Sequence, residues 1–253
     1  MTAIFKREFL SYFRSPVGYV AIALFSFLSG FVFYSQFATG AVDIASEVIS
    51  LRSFFFVIVP IITMGLLSED KKRGTDVLYY TTPINLFNVV IGKVLAAFAL
   101  YAIMFINVII HIIVTVNCGG VFSVGAVGTI IVFFFMAFMF ISIGLFASAI
   151  TDNQIISAIV AFIIILVTQI LGTIGDYLGS AFTSMFSGIN TSFANNVGNA
   201  ISSAINWLDP FLKTQDFRLG IFSVSSLVFL VSVGILFLYL TFRVLDKKRW
   251  SQA

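Results

Sequence analysis

Chemistry-bearing residues are scarce in this chain of 253 residues, which has one cysteine (Cys118), one histidine (His111) and four prolines. A lone thiol makes neither an internal disulfide nor a thiolate zinc site. A lone histidine rules out an H-E-x-x-H metal helix, and no G-x-S-x-G nucleophile elbow occurs. A phosphate-binding P-loop is absent too: Gly92-Lys93 is followed by Val94, and Phe87 stands where the first glycine belongs. The sequence therefore points to no metal ligands and no cofactor site in this chain. Charge is thin as well, at 10% of residues. What fills the space is apolar: 60% of residues are hydrophobic, 31 of them phenylalanine, and mean hydropathy is +1.09. Such a composition lies far outside the soluble range.

The apolar residues gather in six runs, 17–38, 54–67, 94–116, 124–150, 155–174 and 219–241. A bilayer core of about 30 Å takes roughly 20 apolar residues per helix. Five runs meet that length. The second is short and is expected to extend outward through Val48–Ser53, with Arg52 at the outer interface and a kink at Pro60. The first run follows a basic start but is too long for a cleavable leader and lacks a small-residue cleavage site, so it reads as an uncleaved span. The fold class is then an all-α membrane protein, a six-helix transmembrane bundle.

Charge sets the orientation. With the N-terminus inside, the inner segments hold Lys6, Arg7, Arg14, Lys71, Lys72, Arg73, Lys93, Arg243, Lys247, Lys248 and Arg249, which is 11 of the 14 basic residues. Arg52, Lys213 and Arg218 lie outside, and the acidic residues divide almost evenly. A Lys/Arg bias of this kind fixes topology on insertion. Both termini are expected in the cytoplasm and the protein in the plasma or inner membrane. The net charge of +3 follows from this asymmetry and argues for no nucleic-acid partner.

Three segments do not span. Residues 1–16 form an amphipathic helix, with Phe5 and Phe9 on one face and Arg7 and Arg14 on another, suited to the headgroup region of the lipid bilayer. It reads equally as a membrane anchor or as a contact for a cytoplasmic partner. The connection 68–93 opens with the charge cluster Glu69, Asp70, Lys71, Lys72 and Arg73. Thr75 then caps a short helix through Asp76, Val77, Leu78, Tyr79, Tyr80 and Thr81, which Thr82-Pro83 stops. Val77, Leu78 and the two tyrosines form an exposed face more apolar than a solvated loop needs, which favours a protein partner over lipid. Lys93 should snorkel to the interface. The outer segment 175–218 reads as two short amphipathic helices, with the Asn-rich stretch Asn190–Asn199 as their turn, and serves as a lid or as an outer gate.

Polar groups within the spans are few. Asn107 and His111 share a helix face four residues apart, and Gln169 lies in the fifth run. They mark either a translocation path or interhelical hydrogen bonds. No acidic residue stands deep in any apolar run, so His111 has no partner visible in the sequence, which weighs against an intramembrane enzyme. The small residues Gly144, Ala147 and Ser148 permit close packing of the fourth span.

Several stretches together resemble a known family. Residues 68–83, S-E-D-K-K-R-G-T-D-V-L-Y-Y-T-T-P, are similar to the E-[DE]-K-[KR]-x-G-T-x-x-x-L-x-x-x-P segment of ABC-2 type transporter permeases, and Ile91-Gly92-Lys93-Val94-Leu95-Ala96 continues the match. Ala149-Ile150-Thr151-Asp152-Asn153-Gln154 resembles that family's turn between spans four and five. Phe5-Lys6-Arg7-Glu8-Phe9 with Tyr12–Pro16, and Asp216-Phe217-Arg218 with Arg243–Trp250, resemble its two ends. The chain looks closest to the gliding-motility and copper-site-maturation subgroup (GldF- and NosY-like).

The resemblance implies a domain over 17–253 of the ABC-2 exporter type, with coupling loop 68–93 and extracellular gate 175–218. It implies a permease subunit without enzymatic activity, working as a homo- or heteromeric dimer with two separate ATPase subunits that carry the ATP and Mg. Thr75–Thr81 would dock in the ATPase, the cluster Glu69–Arg73 would act as a hinge, and the N-terminal helix would flank the interface. The tyrosines at 79 and 80 depart from the commoner leucines and put the shape of the partner's groove in doubt. An intramembrane enzyme, or a passive channel or scaffold subunit, is the alternative function.

Overall fold

A computed structural model describes residues 1–40, 42–81, 84–186 and 191–252. Among these residues the structure is helical throughout, with no strand. Helix α1 (Thr2–Arg14) is separated from α2 (Pro16–Ala38) by Ser15 in extended backbone, with Pro16 at the first helical position, where its missing N–H costs nothing. Then come α3 (Ile44–Arg52), α4 (Phe55–Thr63), α5 (Ser68–Lys72), α6 (Val77–Thr81), α7 (Leu86–Met104), α8 (Ile106–Asn117) and α9 (Val124–Ile150). The chain ends with α10 (Gln154–Phe186), α11 (Thr191–Asn206), a 3-10 segment (Leu212–Leu219) and α12 (Val224–Gln252).

Five helical stretches are long and apolar enough to cross a membrane: α2, α7 with α8, α9, α10 and α12. A sixth apolar stretch is broken: α3 meets the stretch beginning at α4 at a bend of 58°, the geometry of a broken span or of a re-entrant loop. That break sits at Ser53–Phe54 and not at Pro60, which lies within α4. Arg52 also departs from expectation. It turns inward, donating to Thr214 Oγ1 at 2.6 Å and lying over the Phe211 ring, so a polar partner in the 3-10 segment outweighs the outer interface.

The central helix is α9. It carries no charged side chain, and its buried face meets α3, α4, α10, α12 and the 3-10 segment. Phe55, Tyr101, Phe133 and Phe140 form a ring cluster around it, with Phe55 and Phe133 centroids 4.9 Å apart. In lipid, helices associate through such packing rather than through exclusion of water. Gly144 lets α4 approach so closely that a Cβ there would meet Thr63 Oγ1 at 2.1 Å.

Helix α10 does not stop where the fifth apolar run ends at residue 174. Its 33 residues extend about 50 Å at 1.5 Å each, well beyond a core of about 30 Å. Leu178, Phe182, Met185 and Phe186, expected in a separate short helix, are the continuation of this span. Helix α11 folds back along it, with the backbones crossing where Gly179 faces Gly198. Ser202 Oγ and Asn206 Nδ2 tie α11 to Asp176 at 2.8 and 2.9 Å. The Asn-rich stretch is thus not the turn, because Asn195, Asn196 and Asn199 lie within α11; Asn190 and the expected Thr82-Pro83 stop lie outside the described residues. The sixth apolar run likewise begins later as helix, at Val224, with Leu219 closing the 3-10 segment before Gly220 in the left-handed region (φ 77°).

Candidate functional site

The N-terminal helix, the connection between the second and third spans, the turn after α9 and the last turns of α12 share one end of the bundle. Four charges and a tyrosine bind the first two to α7. Lys93 is fully buried and does not snorkel. Its Nζ contacts Asp70 Oδ2 at 2.6 Å, Glu8 Oε1 at 3.0 Å and the Leu66 carbonyl oxygen. Arg7 donates to Glu8 Oε1 and to the Tyr79 hydroxyl at 2.7 Å, and the Tyr79 O–H donates to Asp70 Oδ2 at 2.6 Å. Two cations thus face two carboxylates, which is the condition under which buried charge is tolerated.

Local sequence explains how these groups meet. Glu8 and Tyr12 are four apart on the buried face of α1, and the Tyr12 hydroxyl donates to Ile62 O at 2.6 Å, pinning α1 against the second span. Gly92 gives α1 room beside α7, for a Cβ there would lie 3.1 Å from Ile4 Cγ2. Phe5, Phe9 and Phe13 stack along the half-buried side of α1, while Arg14 stays exposed. Arg7, expected to face lipid, is turned instead to Asp70 and Tyr79 in the connection that carries α5 and α6.

Of the loop charges, two point inward. Asp70 joins the cluster around Lys93. Lys71 Nζ donates to the carbonyl oxygens of Ala149 and Thr151 and pairs with Asp152 at 3.4 Å, in the turn that joins α9 to α10. Asp152 also pairs with Lys248 of α12 at 3.6 Å. Glu69 pairs with Arg73 one turn on, and Lys72 is exposed. Ser148 completes the anchorage: its Oγ accepts the Leu67 and Ser68 N–H groups, both at 2.9 Å, and donates to Met64 O.

The segment Thr75–Thr81 divides in two. Thr75 Oγ1 donates to Asp70 rather than capping α6 with its side chain. Val77 and Leu78 are 45% and 56% exposed, as the sequence implied, whereas Tyr79 is 4% exposed, because its hydroxyl completes the ionic cluster. A cleft of about 350 Å³ lined by Arg7, Glu8, Ser11, Arg14, Glu69, Asp70 and Arg73 makes α1 and the loop one continuous surface.

The cluster fixes its own protonation. Burial opposes ionisation of Asp70, yet Lys93, Tyr79 and Arg7 outweigh it and hold its pKa below the ordinary carboxylate value. Burial and the neighbouring Asp70 push the Tyr79 phenol up. The Arg7 guanidinium, although burial works against its charge, is held protonated by Glu8 and Tyr79.

Lys71 behaves differently. Burial and the nearby Lys248 bring its pKa down to about 8, against the pull of Asp152. A folded value below the unfolded one, about 10.4 for lysine, means that the charged form costs stability below pH 8. That cost is relieved as pH rises from about 8 to about 10.4, where the unfolded chain binds more protons. Thermal unfolding of the purified chain should therefore show wild type gaining stability relative to Lys71→Met across that window; parallel curves would refute the assignment.

The polar residues singled out in the spans do not converge. Asn107 Nδ2 donates to Ser26 Oγ at 2.7 Å and to Met104 O, and Gln169 Nε2, on α10, reaches Ser53 O at 3.0 Å. His111 does have an acidic partner: Glu47 Oε1 lies 2.6 Å from its Nδ1. Sequence reasoning placed Glu47 in an outer connection, since it falls in no apolar run. The signal was present in the N-cap Asp43 and the apolar residues Ile44, Val48 and Leu51, which bury one face of α3.

The ABC-2 family transporter protein profile matches residues 2–250, from α1 through α12. No curated protein matches the sequence.

Proposed function

This chain belongs to the ABC-2 family of transporter proteins, and from that premise we propose that its ionic cluster transmits the stroke of a separate ATPase to the membrane helices. It is a multi-pass permease subunit of an ABC transporter, a transport component rather than a catalyst. The reading proposed beyond that has the end of the bundle bearing α1, α5 and α6 in the cytoplasm, Val77 and Leu78 seated in an ATPase subunit, and ATP with Mg held by that partner. Two ATPase subunits would serve two permease copies, identical or homologous, and the direction would be export across the plasma or inner membrane. The subgroup of gliding-motility and copper-site-maturation permeases is the proposed affiliation.

One observation carries this reading. The loop offers an apolar face outward at Val77 and Leu78, while its inward side is fastened by Asp70 and Tyr79 to α1 and α7 and by Lys71 to the α9–α10 turn. Force on the loop would thereby reach α1 and the third, fourth and fifth spans together. The charge distribution supports the cytoplasmic side for it. Affinity purification of the tagged chain from its native membrane should recover a P-loop ATPase in comparable amount. Transport by the purified chain without any ATPase would overturn the reading.

A further inference from the structure

The second buried ionic site lies at the opposite end of the bundle and belongs to no part of the coupling machinery. Glu47 on α3 is fully buried, and His111 on α8 retains 14% of its side-chain exposure. Besides the 2.6 Å contact between Nδ1 and Oε1, Ser29 of α2 donates to Oε1 at 3.1 Å and lies 3.4 Å from Nδ1. Phe33 stacks on the imidazole at 4.2 Å, covering one ring face. Three helices thus meet on one carboxylate oxygen. The other, Oε2, is buried with no hydrogen-bond partner.

We propose that Glu47 and His111 form a proton-binding site whose occupancy controls the packing of α3 against α2 and α8. Ionisable residues at membrane depth are costly and mark functional sites, and a buried acceptor left unpaired is itself costly. The starting state of the switch has one proton on the Nδ1–Oε1 line. Uptake of a second from the aqueous phase forms an O–H bond at Oε2 from one of its lone pairs; no bond breaks, and the pair gains one positive charge. The new O–H has no acceptor where it stands, and the imidazolium has lost its anion. Both defects are relieved when α3 moves, and the break at Ser53–Phe54 supplies the joint.

Other ionisable groups stand on the elements packed around this pair, among them Lys93 and Tyr101 on α7. On α3 itself stand Asp43, at its cap, and Arg52, engaged with Thr214. Helix α9 carries no titratable side chain, α2 carries Tyr19 and Tyr34, and α8 carries His111. The 3-10 segment carries Lys213, Asp216 and Arg218. Of these, Lys213 lies over Trp207, and Arg218 reaches Ser46 Oγ at 2.9 Å and Asp43 at 3.8 Å.

The composition allows a direct test on the full chain in lipid nanodiscs. His111 is the sole histidine, so a ¹⁵N-histidine label reports it alone, and Cys118, exposed at the end of α8, is the sole thiol. Adding Ser50→Cys on α3, where the hydroxyl bonds only the Ser46 carbonyl oxygen, gives a spin-label pair that reads α3 against α8. Lowering pH from about 8 to about 5, the range in which imidazole charge changes, should alter the ring ¹⁵N signal. The inter-label distance should shift by about 2 Å, the scale of helix shifts at packed interfaces. In Glu47→Gln the distance should no longer respond. A wild-type distance indifferent to pH, or a Glu47→Gln response equal to wild type, would overturn the proposal. Should that variant fail to fold, the wild-type titration decides alone. No ATPase takes part, so this outcome is independent of the coupling mechanism.

Discussion

Replacing Lys93 with methionine should destabilise the chain by about 3–5 kcal/mol, the cost of leaving buried charge uncompensated. Glu8 and Asp70 would both lose the ammonium that reaches them, at 3.0 and 2.6 Å, in a site open to little water. Thermal unfolding of the detergent-purified variant measures this. The companion is the triple variant Glu8→Gln, Asp70→Asn, Lys93→Met, which removes three of the four charges together. It should recover most of the lost stability, because a buried ionic cluster exchanged for neutral groups of similar volume is often no worse than the original. If ATP-driven transport nevertheless stays lost in the triple variant, the cluster serves coupling and not merely folding. Wild-type transport in the triple variant would remove that role.

Acid should expose the same dependence. The pKa of Asp70 is held below its ordinary value in the folded chain, so its ionic contribution is complete above the unfolded value of about 3.9 and is lost as pH falls further. The Asp70→Asn variant should lack that part of the acid transition.

Features dictated by the surrounding solvent are the most legible in this sequence, and those dictated by distant partners are the least. Runs of 20 or more apolar residues announce spans whatever they pack on. The break between α3 and α4 is visible as a run too short to span, but its place is not, because Ser53–Phe54 carries no proline or glycine to mark it. The length of α10 is hidden for a related reason. Tyr177, Ser180 and Ser184 are polar enough to suggest a boundary, yet they lie on one continuous helix with α11 packed along it.

In the connection that carries α5 and α6, the residue pattern marks the apolar face at Val77 and Leu78 but misjudges the sides of other residues. Lys93, at the membrane edge of a helix, looks like a snorkelling lysine until Glu8, 85 residues earlier, is brought beside it. Tyr79 looks like a docking aromatic until its hydroxyl finds Arg7 and Asp70. Long-range polar pairing leaves no periodic trace, and the same gap conceals the link between Glu47 and His111, 64 residues apart.

This division within the loop yields the most severe functional result expected. Val77→Glu with Leu78→Glu places two carboxylates on the outward face of α6 while leaving every member of the ionic cluster in place. If that face seats in the ATPase, each substitution at the centre of the contact should cost about 2 kcal/mol or more, roughly thirtyfold in affinity at 1.4 kcal/mol per tenfold. The double variant should therefore insert and unfold like wild type, fail to retain the ATPase through purification, and abolish transport. Tyr79→Phe is the contrasting case. It deletes the hydroxyl that joins Arg7 to Asp70 without altering the exposed face, so the ATPase should stay bound while transport per ATP hydrolysed falls. Reversal of the two phenotypes, with Tyr79→Phe shedding the ATPase and the double glutamate variant retaining it, would mean that the docking surface lies elsewhere on the loop and that the buried cluster itself contacts the motor.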